Sequence, residues 1–600
     1  MGKKAAVGYW MGKKAAVGYR TGKASSSRIP DGESKRQSDT GRGKSGRRVL
    51  EWEKEDGSRV CMFKAERLAG NREVAMVRTG YGNGGKRERA LEALFYLLTF
   101  AAIACFAMVQ TYGDPPDEIN RFKVVNYICS YGRLPHGADP EVILDGYGAS
   151  YAFQPILTYM IQGFLLRFLL LFTSDSYVLL LAARMVNAVF GVWMAYYVVQ
   201  IAKEAWKNPY LQWVFVLMTV FLPQNIFIHS YVNTDSMAML SVAIIFYALL
   251  RAQRTGYGRR ECVELAVGII LCAMSYYNAY GVIVAAMLVF FLDFVHGSGQ
   301  KGVRVEWAPL LQKGAFISVI VLVGISWWFI RNGVLYDGDI IAMDARRECA
   351  IRTATQEFNP LTRETYQNTG RSVWEMLFGS GYLTLLRDSF IAMFGPMQIP
   401  THGLIYLWYK RFWIVACAVA VLPVQLLWKE RMQGEERRKK LVFYFSMALF
   451  CIITVALSIY YSYTWEYQPQ GRYILPVLIP LMYLVTLGVE KICGLLEWGG
   501  KEMDRRRSGG RHVRMAEVQQ AKGHGRNGQA RYGQGEGGQR GYGQKSGPAG
   551  RAGQVCGKLF CLGIIGYVML AFAYSLFVRF LPHYLQGENM FSMWGKGFGA

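Results

Sequence analysis

The sequence predicts an all-α integral membrane protein, a bundle of about eleven transmembrane helices with further helices lying along its outer face. Apolar runs of about 20 residues, enough to cross a hydrocarbon core of about 30 Å, recur along the 600-residue chain. The composition is 52% hydrophobic and 14% aromatic, beside a net charge of +25. That charge is segregated into two tails and into short loops between the apolar runs. Lys and Arg placed this way orient a membrane protein, so no nucleic acid is expected among its partners.

The first element is polar. "MGKKAAVGY" occupies residues 1–9 and again 11–19, and the Gly, Ser, Lys and Arg-rich sequence that follows has no helical or strand period. Residues 1–88 therefore read as a disordered, basic, cytoplasmic region. No cleavable signal peptide is apparent ahead of the first apolar run.

The membrane domain spans residues 89–498. Its apolar runs fall at 91–111, 152–172, 177–201, 211–230, 235–251, 262–279, 280–295, 313–331, 404–426, 441–461 and 472–491, with one more at 557–580. Twelve crossings would place the basic stretches "RAQRTGYGRR" and "WKERMQGEERRKK" outside. The weakest run is 152–172, which contains Gln154, Pro155, Gln162 and Arg167. Laying it along the outer surface leaves eleven crossings and returns the basic loops 202–210, 251–260, 296–312 and 427–440 to the cytoplasm. Residues 499–555 read as a disordered Gly, Arg and Gln-rich cytoplasmic linker, and 556–600 as a last transmembrane helix with a short outer tail.

This topology brings the outer loops 112–176 and 332–403 together with "HSYVNTDS" (229–236) and "YTWEYQPQGRY" (463–473). Polar groups gather at the outer ends of the spans. A conduction path more often places ionisable groups at mid-membrane. Within "TYGDPPDEINRF" (111–122), Asp114 suits an N-cap, with Pro115 at the first helical position and Asp117 and Glu118 in the first turn. A carboxylate there also suits proton transfer, and the local pattern leaves both roles open. Asp235 carries the same ambiguity. Arg331, after Trp327 and Trp328, and Arg472 in "QPQGRY" read either as snorkelling side chains or as phosphate ligands. "RSVWEMLFGSGYLTLLRDSFIAMF" (371–394), broken by Gly379 and Gly381, reads as a helix-turn-helix on the membrane surface, with Arg387 and Asp388 in its second half.

The eleven cysteines show no metal-ligand spacing. Cys129 and Cys349 are the two placed outside, and whether they pair stays open. No cofactor is required; a divalent cation is not supported by the sequence.

"PPDEINRF", "NTDS", "WWFIRNGVLYDGD" and "QGRY", in this order over residues 90–490, resemble the GT-C superfamily of polytopic glycosyltransferases. The likeness is nearest to a bacterial family of GT-C-like membrane proteins, and more distant to protein mannosyltransferases and aminoarabinose transferases. It implies an inverting cell-membrane enzyme with a cytoplasmic N-terminus and an outer-face active site. Its partners would be a polyprenyl-phosphate sugar donor in the bilayer and a cell-envelope acceptor (glycan, lipid or protein). Asp117 falls at the family's first-loop acid, the general base, with Glu118 beside it, and Asp235 at the second acidic position, toward the acceptor. A phosphate leaving group calls for positive charge, which Arg472, Arg331 and Arg387 supply. Two departures bear on a metal site: Arg121 stands where relatives often have His, and the usual "YGD" reads Tyr336, Asp337, Gly338, Asp339. The competing functions are a flippase or transporter, an envelope polysaccharide ligase or polymerase, and a non-catalytic scaffold.

Overall fold

The computed structural model describes residues 50–55, 58–63, 83–298, 302–422, 434–522 and 548–585. Most of the predicted disordered region 1–88, residues 523–547 of the predicted linker 499–555, and the tail after 585 lie outside the described residues. Within the first of these regions, β1 (Leu50–Glu55) and β2 (Ser58–Phe63) pair as an antiparallel hairpin, a local order that the composition does not predict.

The rest is a helical bundle. In chain order it contains α1 (Asn83–Val109), α2 (Glu118–Tyr131), α3 (Leu157–Leu169), α4 (Ser176–Ala205), α5 (Pro209–Val220), α6 (Pro223–Ile228), α7 (Asp235–Thr255), α8 (Arg259–Ala273) and α9 (Gly281–Asp293). A hairpin of β3 (Val295–Ser298) and β4 (Gly302–Val305) leads to α10 (Trp307–Leu335), α11 (Met343–Thr353) and α12 (Tyr382–Ile391). A two-residue pairing of β5 (Met393–Phe394) with β6 (Ile399–Pro400) precedes α13 (Gly403–Val421), α14 (Gly434–Thr464), α15 (Leu478–Lys522), α16 (Pro548–Tyr574) and α17 (Leu581–Leu585).

Among the described residues eight helical stretches are each long and apolar enough to cross a membrane. The three remaining runs form α5, α8 and α9, of 12, 15 and 13 residues. At 1.5 Å per residue these reach only roughly 18–23 Å. Pro223 breaks the run 211–230, since its missing N–H and fixed φ suit the start of α6 rather than the continuation of α5. The weak run 152–172 becomes α3, 13 residues long, packed on α2 and α4.

α7 lies at the centre, with 89% of its apolar stretch buried against neighbours that include α4, α8 and α9. α15 joins α5, α13 and α16. α15 also continues to Lys522, so residues 499–522 are helical rather than the linker that their composition suggests.

Candidate functional site

The site is built where the ends of four long elements meet α2. The C-terminus of α1 leads into the loop 110–117; α4 and α7 begin nearby; and the turn Gly471–Val477 opens the α15 span. α2 starts one residue after Asp117, which sits at its N-cap with φ 62°, in the left-handed region. That conformation is uncommon for a residue other than Gly, and a short polar side chain such as Asp tolerates it best. The Asp117 side chain makes no cap bond to the helix. Its carboxylate instead accepts from Nη2 of Arg472, while Nη1 of Arg472 donates to the Pro116 carbonyl at 3.2 Å. Arg121, one turn along α2, approaches the same carboxylate at 3.8 Å.

The N-cap position of α2 falls at Asp117 rather than at Asp114, where the sequence places it. The Asp114 carboxyl bonds Thr111 and Tyr584, and its burial raises its pKa. For Asp117, burial raises the pKa, but the charges of Arg472 and Arg121 and hydrogen bonds from Arg472 and Tyr151 outweigh it, leaving the carboxyl at about 2. About a third of the Asp117 side chain remains exposed, whereas Arg472 is 4% exposed. The arginine is fixed and the carboxylate is open.

Asp235 completes the cluster. It is the first residue of α7, makes no cap bond, and accepts from Nη1 of Arg121 at 2.7 Å. The guanidinium of Arg121 also lies 5.5 Å from the centre of the Tyr151 ring, and that of Arg472 4.9 Å from Tyr473. Asp235 Oδ1, Arg121 Nε and Arg472 Nε are buried and lack hydrogen-bond partners among the described residues. Buried polar groups are nearly always paired, so three orphans in one cluster mark a place shaped for a further polar partner.

Gly471 makes the Arg472 turn possible. Its amide donates to Ser389 Oγ on α12 at 2.7 Å, and a Cβ at this position would fall on the backbone amide of Phe390. α12 is the second half of the predicted helix-turn-helix. The first half is a single wide turn, Glu375–Gly379, with Gly381 at φ 77° between the two.

Glu118 turns away from Arg472. It is fully buried and pairs with Arg184 of α4 through Nε–Oε1 at 2.8 Å and Nη2–Oε2 at 2.6 Å. It also accepts from the Val232 and Gly113 amides, and Arg184 donates to the carbonyls of Ala107 and Gln110. This pair ties α1, α2, α4 and the turn before α7 together, leaving Glu118 no exposed oxygen. Arg331 lies apart from the cluster. It donates to the Pro135 carbonyl at 2.6 Å, beyond the far end of α2 from Asp117. The 14 residues of α2 separate the two ends by roughly 20 Å, so Arg331 does not share an anion with Arg472. Arg387 pairs with its neighbour Asp388 at 2.5 Å rather than joining the cluster.

Asp339 caps α11, accepting from the amides of Ala342, Asp344 and Ala345 at 2.8–3.0 Å. Among the described residues no three His, Cys, Asp or Glu side chains group as a metal site. Cys129 and Cys349 are free and buried in separate apolar clusters, so they do not pair.

Among the described residues one cavity lies near this cluster and another at the far end of α2. One, of about 660 Å³, is walled by Arg363, Glu466, Phe358 and Tyr467. Tyr147 donates to Glu466 at 2.9 Å; burial and the charges of Glu466 and Asp117 raise the pKa of its hydroxyl, which places this wall within electrostatic reach of Asp117. The other, of about 460 Å³, lies at Arg331. Sequence reasoning missed Arg184, hidden as one charge in an apolar run, and noted Arg121 only as a departure from a family pattern.

No curated protein matches the sequence. Among solved structures, the chain is similar to ArnT of Cupriavidus metallidurans bound to undecaprenyl phosphate, at 13% identity and TM-score 0.40, over 69% of this chain and 63% of that one. It is also similar to the oligosaccharyltransferase AglB of Archaeoglobus fulgidus in complex with an inhibitory peptide and a dolichol-phosphate, at 12% identity and TM-score 0.42, over 80% of this chain and 56% of that one. The chain thus spans less than two thirds of the length of either. A family model described as "Predicted membrane protein (DUF2142)" matches residues 131–481, more than half of the sequence, and the chain belongs to that family of membrane proteins.

Proposed function

We propose that the protein is an inverting membrane glycosyltransferase that moves a sugar from a polyprenyl-phosphate donor to a cell-envelope acceptor, with Asp117 as general base. One observation carries this reading: the open carboxylate of Asp117 rests on the buried guanidinium of Arg472 at the ends of the membrane spans. A carboxylate and a fixed guanidinium are the two groups that transfer from a lipid phosphate to a hydroxyl requires.

The resting pair is not yet a base, because a carboxyl held at about 2 takes up protons poorly at neutral pH. A donor phosphate is a stronger partner for the guanidinium fork. As it engages Arg472, Asp117 loses the largest charge holding its pKa down. The freed carboxylate then takes the proton of the acceptor hydroxyl. That oxygen bonds to the anomeric carbon, the bond from this carbon to the phosphate oxygen breaks, and the polyprenyl phosphate leaves as an anion on Arg472. Attack opposite the leaving group inverts the centre. Asp235 positions Arg121 beside the reacting groups, and the Arg363–Glu466 cavity offers a polar space for the acceptor.

An outer-face location is supported by the charge of α7. It starts at Asp235 in the site and ends in "RAQRTGYGRR", whose arginines mark the cytoplasmic side. The test is transfer by the purified protein from a panel of radiolabelled polyprenyl-phosphate sugars to envelope extract. Transfer by wild type that Asp117→Asn abolishes, with donor binding kept, is the expected result. Full donor binding without any transfer by wild type would overturn it.

A further inference from the structure

Arg331 lies outside the Asp117 cluster, yet it is not an idle snorkelling side chain. It stands at the last turn of α10, in the 460 Å³ cavity that Arg133, His136 and Asp139 also wall. Its Nη2 donates to the Pro135 carbonyl, and its guanidinium lies 5.1 Å from the centre of the Trp328 ring. Arg133, an exposed residue, is 5.9 Å from the Tyr131 ring. Neither arginine forms an ion pair among the described residues. Asp139, the one carboxylate in the wall, is occupied by the His136 amide at 2.9 Å and by the hydroxyl of Tyr127. The cavity therefore keeps an excess of positive charge.

Below the charges the surface turns apolar. On the membrane side of Arg331, Ile330, Trp327 and Val323 of α10 are 63%, 37% and 75% exposed. α10 is the least covered of the eight spans, with 11% of its apolar stretch buried within the protein. Two guanidiniums at the end of a lipid-facing helix, above bare aliphatic side chains, match the two halves of one ligand. We infer that this cavity binds the phosphate headgroup of an anionic membrane lipid, with its acyl chain along Ile330 and Val323 of α10. It is separate from the Asp117 site, roughly 20 Å away along α2, and does not rest on the transfer reaction.

The experiment titrates the purified full chain, in uncharged detergent, with dioleoyl phosphatidylglycerol while its melting temperature is followed. A saturable rise is expected with this lipid, and none with dioleoyl phosphatidylcholine or with sodium phosphate at the same concentration. Arg133→Gln and Arg331→Gln should each move the midpoint upward by roughly tenfold, the scale of one charge-assisted hydrogen bond. Arg133 touches only a ring and a hydroxyl, so its variant stays informative if Arg331→Gln folds poorly. Arg472→Gln should leave the response unchanged, which separates this site from the transfer site. Unchanged midpoints in both cavity variants, an equal response to phosphatidylcholine or phosphate, or loss of the response in Arg472→Gln would each overturn the assignment.

Discussion

Arg472 donates to the carboxylate of Asp117 from 355 residues further along the chain, joining the start of one membrane span to the loop that follows another. In the proposed reaction the pair holds a proton acceptor and a phosphate ligand in mutual check. Each offsets the other's charge, and in the proposed reaction each is freed by a substrate that replaces it.

Asp117→Asn tests the base directly. Asparagine also tolerates the left-handed backbone that Asp117 adopts, so the substitution adds little strain. The folded fraction should be close to wild type, while transfer falls by at least ~10²-fold, the usual lower bound for losing a general base. Asp117→Glu keeps the proton acceptor one methylene further out and should retain part of the activity. Sugar transfer by gel-filtered protein, beside donor binding, is the measurement. Wild-type turnover in Asp117→Asn returns this residue to a structural role.

The depressed pKa of Asp117 makes a pH prediction of definite sign. Its folded value of about 2 lies below the ordinary carboxylate value of about 3.9. The stability it contributes is therefore present above pH about 4 and is lost as pH falls toward 2. Solvent screens the partly exposed pair, so the contribution to melting temperature should be modest. The kinetic consequence is sharper. In the free protein Asp117 is ionised across the working range, so kcat/KM should show no acid limb from it. Once a donor holds Arg472, the carboxyl returns toward its ordinary value, and an acid limb should appear in kcat alone. The same limb in both parameters would remove Arg472 as the cause.

Glu118 and Arg184 are expected to behave as structure. Both are fully buried in a two-point pair. Removing one partner leaves a charge without compensation, at a cost of about 3–5 kcal/mol. Glu118→Gln and Arg184→Gln should both lower the yield of folded protein and its melting temperature, and whatever folds should keep its donor affinity. A stable Glu118→Gln protein without activity would restore Glu118 to the reaction.

The helical bundle, Asp117, Asp235 and Arg472 were legible in the sequence because their signals are local. They are an apolar run of membrane length, a carboxylate at its exit, and an arginine after a glycine. Distance was not legible. Arg331 and Arg387, like Arg472, are arginines at apolar outer-face segments, and only the length of α2 and the neighbouring Asp388 separate them from the site. Glu118 sits beside Asp117 in sequence, but α2 starts there, and its first residue turns toward Arg184 while the residue before it turns toward Arg472. The short helices were partly legible: Pro223 is visible in the run 211–230, and hydropathy alone does not register it.

Gly471 provides the last prediction, because it links α12 to the Asp117–Arg472 pair without contributing a side chain. Its amide bonds Ser389, and its missing Cβ leaves room for the Phe390 backbone. In Gly471→Ala the added methyl meets a peptide group rather than a flexible side chain, so either α12 or the Arg472 turn must move. Overpacking of this kind costs roughly 1–3 kcal/mol. Arg472 is the next residue in the chain, so the shift should reach its contact with Asp117. The expected result is a lower melting temperature with donor affinity falling more than tenfold, the equivalent of about 1.4 kcal/mol. Ser389→Ala removes the hydrogen bond but keeps the space, and it should be milder on both counts. If Gly471→Ala melts and binds donor as wild type does, α12 does not press on the turn, and Arg472 is positioned by Asp117 and Pro116 alone.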